Sequence, residues 1–547
     1  MKIRILLTAM AAFAAAGATA QSAVDAYSVT PSELRGTARF VGMGGAFTSV
    51  GGDLSTLGQN PAGIGIYRRS EVGATVNISA RNYSTATPTM KIDRDNTKFY
   101  FDNIGYVGTA NLGNNATLRS FSWGVSYSRL SSFERLGHGY NGTTDGSMTN
   151  YIASFTNGTN AADLSFGEKY NPYFDSDCDW MSILAYNAYM INGDGVYNDK
   201  YKGLYGNNTV GDAEYTFRES GHVDEYNIDF GGNISDVFYW GIGFGILDLE
   251  YNRQVYYSES MDKADIYTLP SQRTAEGSAD WAMNNSKWIS GTGFNVKFGV
   301  IFRPIEMLRI GAAIHTPTWY SLNHQGGATV SYDYYNPGAP ESTNPDTENP
   351  LKGNDYTGDE NNMLYSYDSR LNAPWRFMVG ASLYIGPRAI VSLDYERVAY
   401  DAMRVKSQSG YYGLNFESNE YVNSDIKNYY KGANIVRLGA EYRVTPRFSV
   451  RAGYNYQTSG VKDAARNGDI EVVTAGTDLS YNFTNTTQNI SFGLGYRYKA
   501  WYIDATYSWR HRTGSFHAYT DYAGIRAPKA DLTENNHNVV LSTGFRF

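Results

Sequence analysis

The sequence has one cysteine, few charged residues and, after its first twenty positions, no long apolar run. Cys178 has no second cysteine to pair with, so the chain forms no intrachain disulfide. Charged residues make up 18% of the 547 positions and the net charge is −8, which gives no sign of a nucleic-acid partner. No later segment reaches the roughly 20 apolar residues that a membrane-spanning helix needs. A membrane protein built from helices is therefore excluded.

The first twenty residues have the three parts of a secretory signal peptide. Lys2 and Arg4 are basic, the segment 5–17 is apolar, and Ala18-Thr19-Ala20 forms an A-x-A cleavage site. The apolar part is too short to cross a bilayer as a helix. We therefore expect a signal peptide over 1–20, cleaved between Ala20 and Gln21, and a mature chain that is periplasmic, outer-membrane or secreted.

Tyrosine and glycine are abundant, with 47 and 57 residues, and apolar residues alternate with polar ones through most of the chain. The segment 435–456 shows the pattern best, because two alternating runs meet at Thr445-Pro446. In the first run Val436, Leu438, Ala440 and Tyr442 alternate with Arg437, Gly439, Glu441 and Arg443. A period of two with a tight break predicts an antiparallel hairpin. A soluble sandwich buries such an apolar face against a second sheet, whereas a membrane barrel turns it to lipid.

The lengths of the connections favour the barrel. About fourteen alternating segments are joined by turns and loops that are short and long in strict succession. The short turns are 113–117, 235–237, 304–306, 386–388, 445–446 and 499–500, and the long loops are 83–97, 131–221, 252–287, 323–363, 403–431, 459–486 and 513–536. Outer-membrane barrels have this asymmetry between periplasmic turns and extracellular loops. The sequence predicts an all-β, antiparallel transmembrane barrel of about 14 strands over 70–547, in the outer membrane of a Gram-negative bacterium.

Residues 21–69 do not alternate and are rich in glycine, which fits either a compact plug or a flexible leader. Within them, Gly52-Asp53-Leu54-Ser55-Thr56 through Asn60-Pro61-Ala62-Gly63 resembles the signature of the FadL/TodX family of outer-membrane transporters for hydrophobic compounds. The segments 310–320, 374–376 and 393–396 are similar to its Bacteroidetes-type branch. The resemblance implies an N-terminal hatch that plugs the lumen. It also implies passive uptake of a small fatty-acid-like or aromatic compound, by hatch rearrangement and lateral release through the barrel wall.

Two groups of hatch residues are candidates for function. Phe40, Met43 and Phe47 either line an inner ligand pocket or wedge the hatch against the wall. The second group is predicted to hold or gate the hatch and comprises Asp53, Ser55, Thr56, Asn60, Pro61, Ala62 and Gly63. Its polar members either contact the ligand or, as we expect, cap turns and keep the hatch folded, because short polar side chains bond to backbone where no strand ladder exists.

The segment 180–191 is the only long apolar patch inside an external loop. Its apolar side chains have partly helical spacing, and the candidates for ligand contact are Trp180, Met181, Leu184, Tyr186 and Tyr189. They form either a landing surface for a hydrophobic ligand at the barrel mouth or the buried face of a helix that packs loop against loop.

Alternation also predicts a charged lumen. The inward positions hold Lys297, Arg309, Arg376, Arg437, Glu441, Arg443, Arg447, Arg451, Arg497, Asp504 and Arg510. We expect most of them to pair with each other or with the hatch, as exposed pairs in a wet interior. One or two arginines remain candidates to hold a ligand carboxylate by paired hydrogen bonds.

The sequence predicts neither an enzyme nor a metal or cofactor site. Residues 175–179 imitate the start of a calcium loop, but Trp180 stands where glycine must turn the chain. The histidines lack metal-ligand spacing, and no G-x-S-x-G motif is present. A second hypothesis remains open, namely a surface-interaction, adhesin or structural barrel. As partners we expect a small hydrophobic molecule, outer-membrane lipid and lipopolysaccharide, and the barrel-assembly machinery through the C-terminal Phe547, with the chain a monomer.

Overall fold

The computed structural model describes residues 22–113, 116–193, 197–358, 365–409 and 415–547, so the expected signal peptide lies outside the described residues. The fold is a closed antiparallel β-barrel of 14 strands, which confirms the predicted fold class. The barrel strands are β1 Glu71–Ala86, β2 Lys91–Asn111, β3 Leu118–Ser132, β4 Val210–Ile234, β5 Phe238–Thr268, β6 Arg273–Ile305, β7 Leu308–His315 with Trp319–Tyr335, β8 Tyr365–Asn372 with Trp375–Ile385, β9 Ala389–Ala399 with Arg404–Ser409, β10 Ala433–Arg443, β11 Phe448–Gln457, β12 Tyr481–Tyr498, β13 Trp501–His517 and β14 Lys529–Arg546. The first strand pairs with the last along its whole length, from Glu71 with Arg546 to Ala86 with Asp531, and this closes the barrel.

The outer face of the barrel is apolar and its inner face is polar. On β10, Val436 and Leu438 are 41% and 48% exposed, whereas Arg437 and Glu441 are buried towards the lumen. Exposed tryptophans lie towards both ends of this apolar band, as Trp501 does near the short turns and Trp375 at the other end. Such aromatic girdles mark the two interfaces of a membrane barrel. The exterior is therefore suited to hydrocarbon and not to water.

Three of the expected long loops are mostly strand; one is 513–536, where β13 runs to His517 and β14 begins at Lys529. The segment 83–97 is the end of the β1–β2 hairpin, and 252–287 continues β5 and β6 to a turn at 269–272. In these extensions apolar side chains point inwards and polar ones outwards, the reverse of the membrane-spanning part. On β5, for example, Val255 and Tyr257 point inwards and are buried, whereas Gln254 points outwards and is exposed. The inner face of the barrel above the membrane packs on loop residues, which explains why polar residues face out there.

The helices and short strands are divided between the lumen and the loop end of the barrel. In the N-terminal segment are α1 Ala23–Ser28, α2 Ala38–Gly42, α3 Thr56–Gln59 and the 3-10 helix Pro61–Ile66; in the loops are α4 Met148–Thr156, α5 Ala161–Leu164, α6 Pro172–Asp175, α7 Trp180–Asn187, α8 Glu420–Tyr429, α9 Asp463–Asn467, the 3-10 helix Tyr400–Ala402 and the strands Arg135–Asn141, Ile191–Gly193, Tyr201–Gly203, Leu351–Tyr356 and Asn415–Ser418. None of the described helices is long and apolar enough to cross a membrane.

Helices α4 to α7 form a cap with its own apolar core on the loop end of the barrel. Met181 and Leu184 of α7 are fully buried in one cluster with Tyr257 and Trp281 of the extended hairpin and with Phe516 of β13. The cap thus closes the mouth of the barrel, and the strand extensions carry half of its core.

Three neighbouring strands are interrupted side by side. The gaps fall at 316–318 in β7, at 373–374 in β8 and at 400–403 in β9, and the first two contain Pro317 and Pro374. Proline has no backbone N–H to give to a ladder, so it occurs in sheets only at edges and irregularities. This region, referred to below as the wall break, is the one place where the described barrel wall loses regular pairing in three adjacent strands.

Candidate functional site

The N-terminal segment fills the lumen, and its lower part rests directly on the barrel wall near the short turns. The 3-10 helix Pro61–Ile66 packs on β4, β5 and β6 where the wall residues are glycines. A Cβ atom at Gly241 would lie 2.3 Å from the carbonyl carbon of Pro61, and one at Gly299 would lie 1.8 Å from Oδ1 of Asn60. Glycine at these positions therefore lets the hatch backbone contact the sheet without a side chain between them.

The residues of the family-like signature bond within the hatch. Asp53 accepts hydrogen bonds from the Thr37 hydroxyl at 2.7 Å and from the Ser55 N–H at 3.0 Å, and Thr56 donates to the Asp53 carbonyl at 2.6 Å. Asn60 donates to the Thr48 carbonyl at 2.6 Å, and its Oδ1 accepts from the Ala62 N–H at 3.0 Å. The contacts are those of a folded plug, and a role of this group in gating remains a prediction.

The three hatch residues proposed for an inner pocket lie in one apolar cluster. Phe40 and Phe47 have ring centroids 5.3 Å apart, and Met43 and Phe47 are fully buried between hatch and wall. Of the three, only Phe40 also lines a cavity of about 150 Å³ in the lumen. Ligand contact by these side chains remains a prediction, and Phe40 is the one with access to open space.

Ion pairs hold the hatch to the wall. Arg39 donates to Glu441 at 2.8 Å; the same carboxylate accepts from Arg451 at 2.7 Å, and Arg451 also pairs with Asp504 at 2.7 Å. All four side chains are nearly buried. These lumenal charges pair as expected, but the expectation of exposed pairs in a wet interior is wrong here, because the hatch fills the lumen around them.

Other lumenal charges pair across the wall, but four of the predicted ones, Arg309, Arg443, Arg447 and Arg497, form no ion pair with the described residues; Arg309 donates instead to the Val50 carbonyl of the hatch at 3.0 Å. Lys297 binds Glu225 at 2.6 Å, and Glu396 accepts from Arg376 at 2.6 Å and from Arg437. Arg443, the last residue of β10, and Arg447, in the turn that follows, are both exposed at the end of the barrel with the short turns. The alternation of the sequence does not show where the enclosed lumen ends, and these two side chains lie at its open edge.

A cavity of about 150 Å³ lies above the hatch, and its lining is rich in arginine. Around it are Arg35, Arg129, Arg135, Arg376, Arg437 and Arg512. Glu33 of the N-terminal segment crosses this region and pairs with Arg510 at 2.5 Å and with Arg35 at 2.8 Å. Glu33 and Arg35 are not among the predicted site residues, because nothing in a non-alternating segment shows which charges meet the wall.

A second cavity of about 70 Å³ lies between the first cavity and the wall break. His315, Arg376 and Tyr400 line both cavities, and the second is also bounded by Thr318 and Pro374. At the break β7 and β8 keep one bond, from the Ala373 N–H to the Thr318 carbonyl at 2.9 Å. The lumenal space therefore extends to the part of the wall with the fewest backbone hydrogen bonds.

Above the cavity, helix α1 occupies an apolar chamber inside the barrel mouth. Tyr27 stacks on Tyr430, with centroids 4.7 Å apart and planes 11° apart, and meets the edge of Tyr400 at 5.1 Å. Asp25 accepts a hydrogen bond from Lys287 of β6 at 2.9 Å. Lys287 falls in the predicted loop 252–287, so no pattern in the sequence pointed to this pair.

The five cap residues proposed for ligand contact are buried to different degrees. Met181 and Leu184 are completely buried, and Trp180, Tyr186 and Tyr189 are partly buried against the cap core. This burial favours the alternative in which the helix packs loop against loop. A ligand role for the five remains a prediction.

Leu184→Asp is expected to unfold the cap and leave the barrel intact, because an uncompensated carboxylate in an apolar core costs several kcal/mol. Cys178, beside α7, is half-buried and is the only cysteine of the chain. Its reaction rate with a thiol reagent should rise severalfold, while heat-modifiable migration of the barrel in gel electrophoresis stays unchanged. Leu351→Val is the mild control in the same core. An unaltered Cys178 rate in Leu184→Asp would contradict this reading.

Glu259 is a buried carboxylate of the cap core, in the part of β5 that extends above the membrane. Its Oε1 accepts from the Met148 N–H at 2.9 Å and from the Tyr257 hydroxyl at 2.6 Å, and the Ser147 hydroxyl donates to its other oxygen. Burial raises the pKa of the Glu259 carboxyl from 4.5 to about 7, although these hydrogen bonds work in the opposite direction.

The raised pKa predicts a cap that loses stability as the pH rises. The folded cap holds the Glu259 proton more tightly than the unfolded chain, so this contribution is complete below the unfolded pKa and is lost as pH rises through about 7. The urea midpoint of cap unfolding, followed by a fluorescent label on Cys178, should fall over that range. In Glu259→Gln the fall should be reduced. Identical pH profiles for the two proteins would contradict the assignment.

Together these features define the class of the protein: a closed membrane β-barrel of 14 strands, plugged by its own N-terminal segment. A FadL homologue of Pseudomonas aeruginosa has this fold; the match has a TM-score of 0.50 and 14% identity and covers 95% of this chain and all of that one. The toluene transporters TodX of P. putida and TbuX of Ralstonia pickettii are also matched, with 13% and 15% identity, 94% of this chain and 99% of theirs, and TM-scores of 0.48 and 0.44. No family model and no curated protein matches the sequence. The chain thus has the FadL fold.

Proposed function

We propose that the chain is a FadL-family channel of the outer membrane for the passive uptake of small hydrophobic compounds, either fatty-acid-like or aromatic. The observation that carries the proposal is the folded hatch inside a barrel of the FadL fold, with a lumenal cavity that reaches a break in the wall. The resemblance of residues 52–63 to the family signature supports it, as does the toluene transport named for TodX and TbuX.

The proposed path runs from the mouth through the two cavities to the wall break, where the compound leaves sideways into the bilayer after the hatch rearranges. The second cavity lies behind Thr318 and Pro374, and regular pairing is absent there in three strands. Opening at this point breaks fewer ladder hydrogen bonds than elsewhere in the wall. No energy-coupling step is part of the proposal.

Uptake into proteoliposomes tests the function. Liposomes that contain the protein should take up a fluorescent long-chain fatty acid or toluene faster than empty ones, and Asn60→Ala, which loosens the hatch, should change that rate. Thr318→Phe, which fills the second cavity, should slow uptake, whereas the outward-facing Trp319→Phe should not. Uptake no faster than in empty liposomes would overturn the proposal.

A surface-interaction barrel is the second candidate, and one observation favours it. The cap has an apolar core of its own that closes the mouth, which a channel does not need. A hatch anchored by buried ion pairs is in turn of no use to an adhesin. The same uptake assay decides between the two, because an adhesin does not accelerate entry.

A further inference from the structure

The outer face of β8 and β9 carries four basic side chains, on either side of the wall break. They are referred to below as the outer basic patch and are Arg370, Arg397, Arg404 and Lys406. Arg370 lies directly opposite Lys406 in the strand pair, and the neighbouring pair, Leu371 and Val405, is completely buried on the inner side. Because side chains alternate along a strand, Arg370 and Lys406 point away from the lumen, and both are exposed.

The side chains of the outer basic patch contact neutral groups of the described part of the chain and form no ion pair with it. Arg397 donates to the side-chain carbonyl of Asn434 at 2.9 Å, and Arg404 donates to the main-chain carbonyl of Met403 at 2.6 Å. The guanidinium group of Arg370 lies over the Phe416 ring, 4.3 Å from its centroid. Like charges directly opposite each other in a strand pair are destabilising, so an anion between Arg370 and Lys406 would relieve a repulsion.

Nearby carboxylates leave this positive charge in place. Asp368, on the same face of β8, accepts a hydrogen bond from the Asn323 side chain at 2.9 Å. Asp401 contacts Arg404 through its main-chain carbonyl, at 3.3 Å. Glu417 alternates with Phe416 and therefore lies on the other face of its hairpin. The outer basic patch thus keeps an excess of positive charge.

The height of the outer basic patch on the barrel is that of the lipid headgroups. Trp375 and Tyr395, on the outer face just below the wall break, are 36% and 43% exposed and belong to the upper aromatic girdle. Arg397 faces outwards two residues above Tyr395, and Arg370 lies five residues above Trp375, towards the loops. A charge on the lipid-facing side of a barrel is costly in the hydrocarbon and is tolerated at the interface. Long basic side chains there extend to the headgroups.

We infer that the outer basic patch binds the phosphate of a lipid in the outer leaflet, namely the phosphorylated lipid anchor of lipopolysaccharide. Guanidinium groups bind phosphate through paired hydrogen bonds, and a lysine adds a point charge. Since the patch has members below and above the wall break, a lipid bound to it lies against the outside of that break. The inference requires the barrel to lie in the outer membrane and does not depend on transport.

The first test compares two lipids that differ only in phosphate. Native mass spectrometry of the full chain in detergent measures the binding of bisphosphorylated lipid A and of the same lipid A with both phosphates removed. Arg370→Gln/Lys406→Gln should weaken binding of the bisphosphorylated lipid about tenfold and leave the other unchanged. Both positions are exposed, so the double variant is expected to fold. Unaltered binding of the bisphosphorylated lipid, or an equal loss for both lipids, would overturn the inference.

The matched control is Arg443→Gln/Arg447→Gln, which removes two exposed arginines at the opposite end of the barrel and should leave binding of both lipids unchanged. An equal loss in this control would show a general effect of net charge and would overturn the assignment to the patch. Lys406→Arg, which keeps the charge, should retain the affinity of the unaltered chain.

A competition experiment distinguishes the lipid from free phosphate. Millimolar inorganic phosphate should displace bisphosphorylated lipid A no better than sodium chloride of equal ionic strength, because the lipid is also held by its apolar chains. Stronger displacement by phosphate would identify a site for the free anion and would overturn the lipid as occupant. Because no uptake is measured, failure of this inference is distinct from failure of the proposed transport.

Discussion

Glu441→Gln is expected to free the hatch from the wall and to lower the free energy of unfolding by about 3–5 kcal/mol. The carboxylate lies between Arg39 of the hatch and Arg451 of β11, at 2.8 Å and 2.7 Å. Removing its charge leaves two guanidinium groups in a nearly closed environment, with Asp504 alone to compensate Arg451. Leaving a buried charge without a partner costs more free energy than the intact ion pair contributes to stability.

Two measurements check this result. The urea midpoint of the detergent-solubilised barrel should fall, and single-channel recordings in planar bilayers should show openings that the unaltered chain lacks, since Arg39 no longer anchors α2. Glu341→Gln, in an exposed loop, is the control and should change neither. If Glu441→Gln kept both the midpoint and the closed state, the ion pairs would not be what retains the hatch.

Gly299→Ala is expected to unseat the hatch at its lowest point. The new Cβ would lie 1.8 Å from Oδ1 of Asn60 and 3.1 Å from Cδ of Pro61, so the 3-10 helix has to move away from β6. Overpacking of a closed contact typically costs about 1–3 kcal/mol. Hydrogen exchange of residues 56–66 should rise while that of the strands stays slow.

A double variant separates this clash from a general effect of alanine in a strand. Asn60→Ala removes the amide that the new Cβ meets, so Gly299→Ala/Asn60→Ala should be more stable than the sum of the two single effects predicts. Gly193→Ala, where a Cβ meets nothing within 4 Å, is the neutral control. Strict additivity would mean that Gly299 and Asn60 do not contact each other as the structure places them.

Much of the fold could be predicted from the sequence, because lipid-facing and lumen-facing residues alternate along each strand of a membrane barrel. On 435–456 the alternation specified both strands, the turn and the inward positions of Arg437 and Glu441, all within a few residues of the structure. Residues 52–63 implied a hatch through a family resemblance, and the N-terminal segment lies in the lumen. The segment 252–287 was predicted to be a loop but consists mostly of strand. Its apolar side chains face inwards and its polar ones outwards, which is the reverse of the pattern expected for a strand that crosses the membrane.

The candidate site depended far more on tertiary structure. Pro317 and Pro374 are visible in the sequence, but only the register of β7, β8 and β9 sets their gaps side by side behind one cavity.

The amino-acid sequence by itself determined a closed barrel with an apolar outer face and a charged inner face. The reason is that each outward side chain must suit hydrocarbon while each inward one can be polar, so every strand carries the pattern in its own residues. Which charges meet which, how deeply Leu184 is buried and that Asp25 reaches Lys287 were decided by the tertiary structure alone. Those contacts join residues far apart in the chain, 262 positions for Asp25 and Lys287 and 402 positions for Arg39 and Glu441. Which residues meet is decided by how the hatch and the cap fit into the barrel, and no local pattern in the sequence shows this.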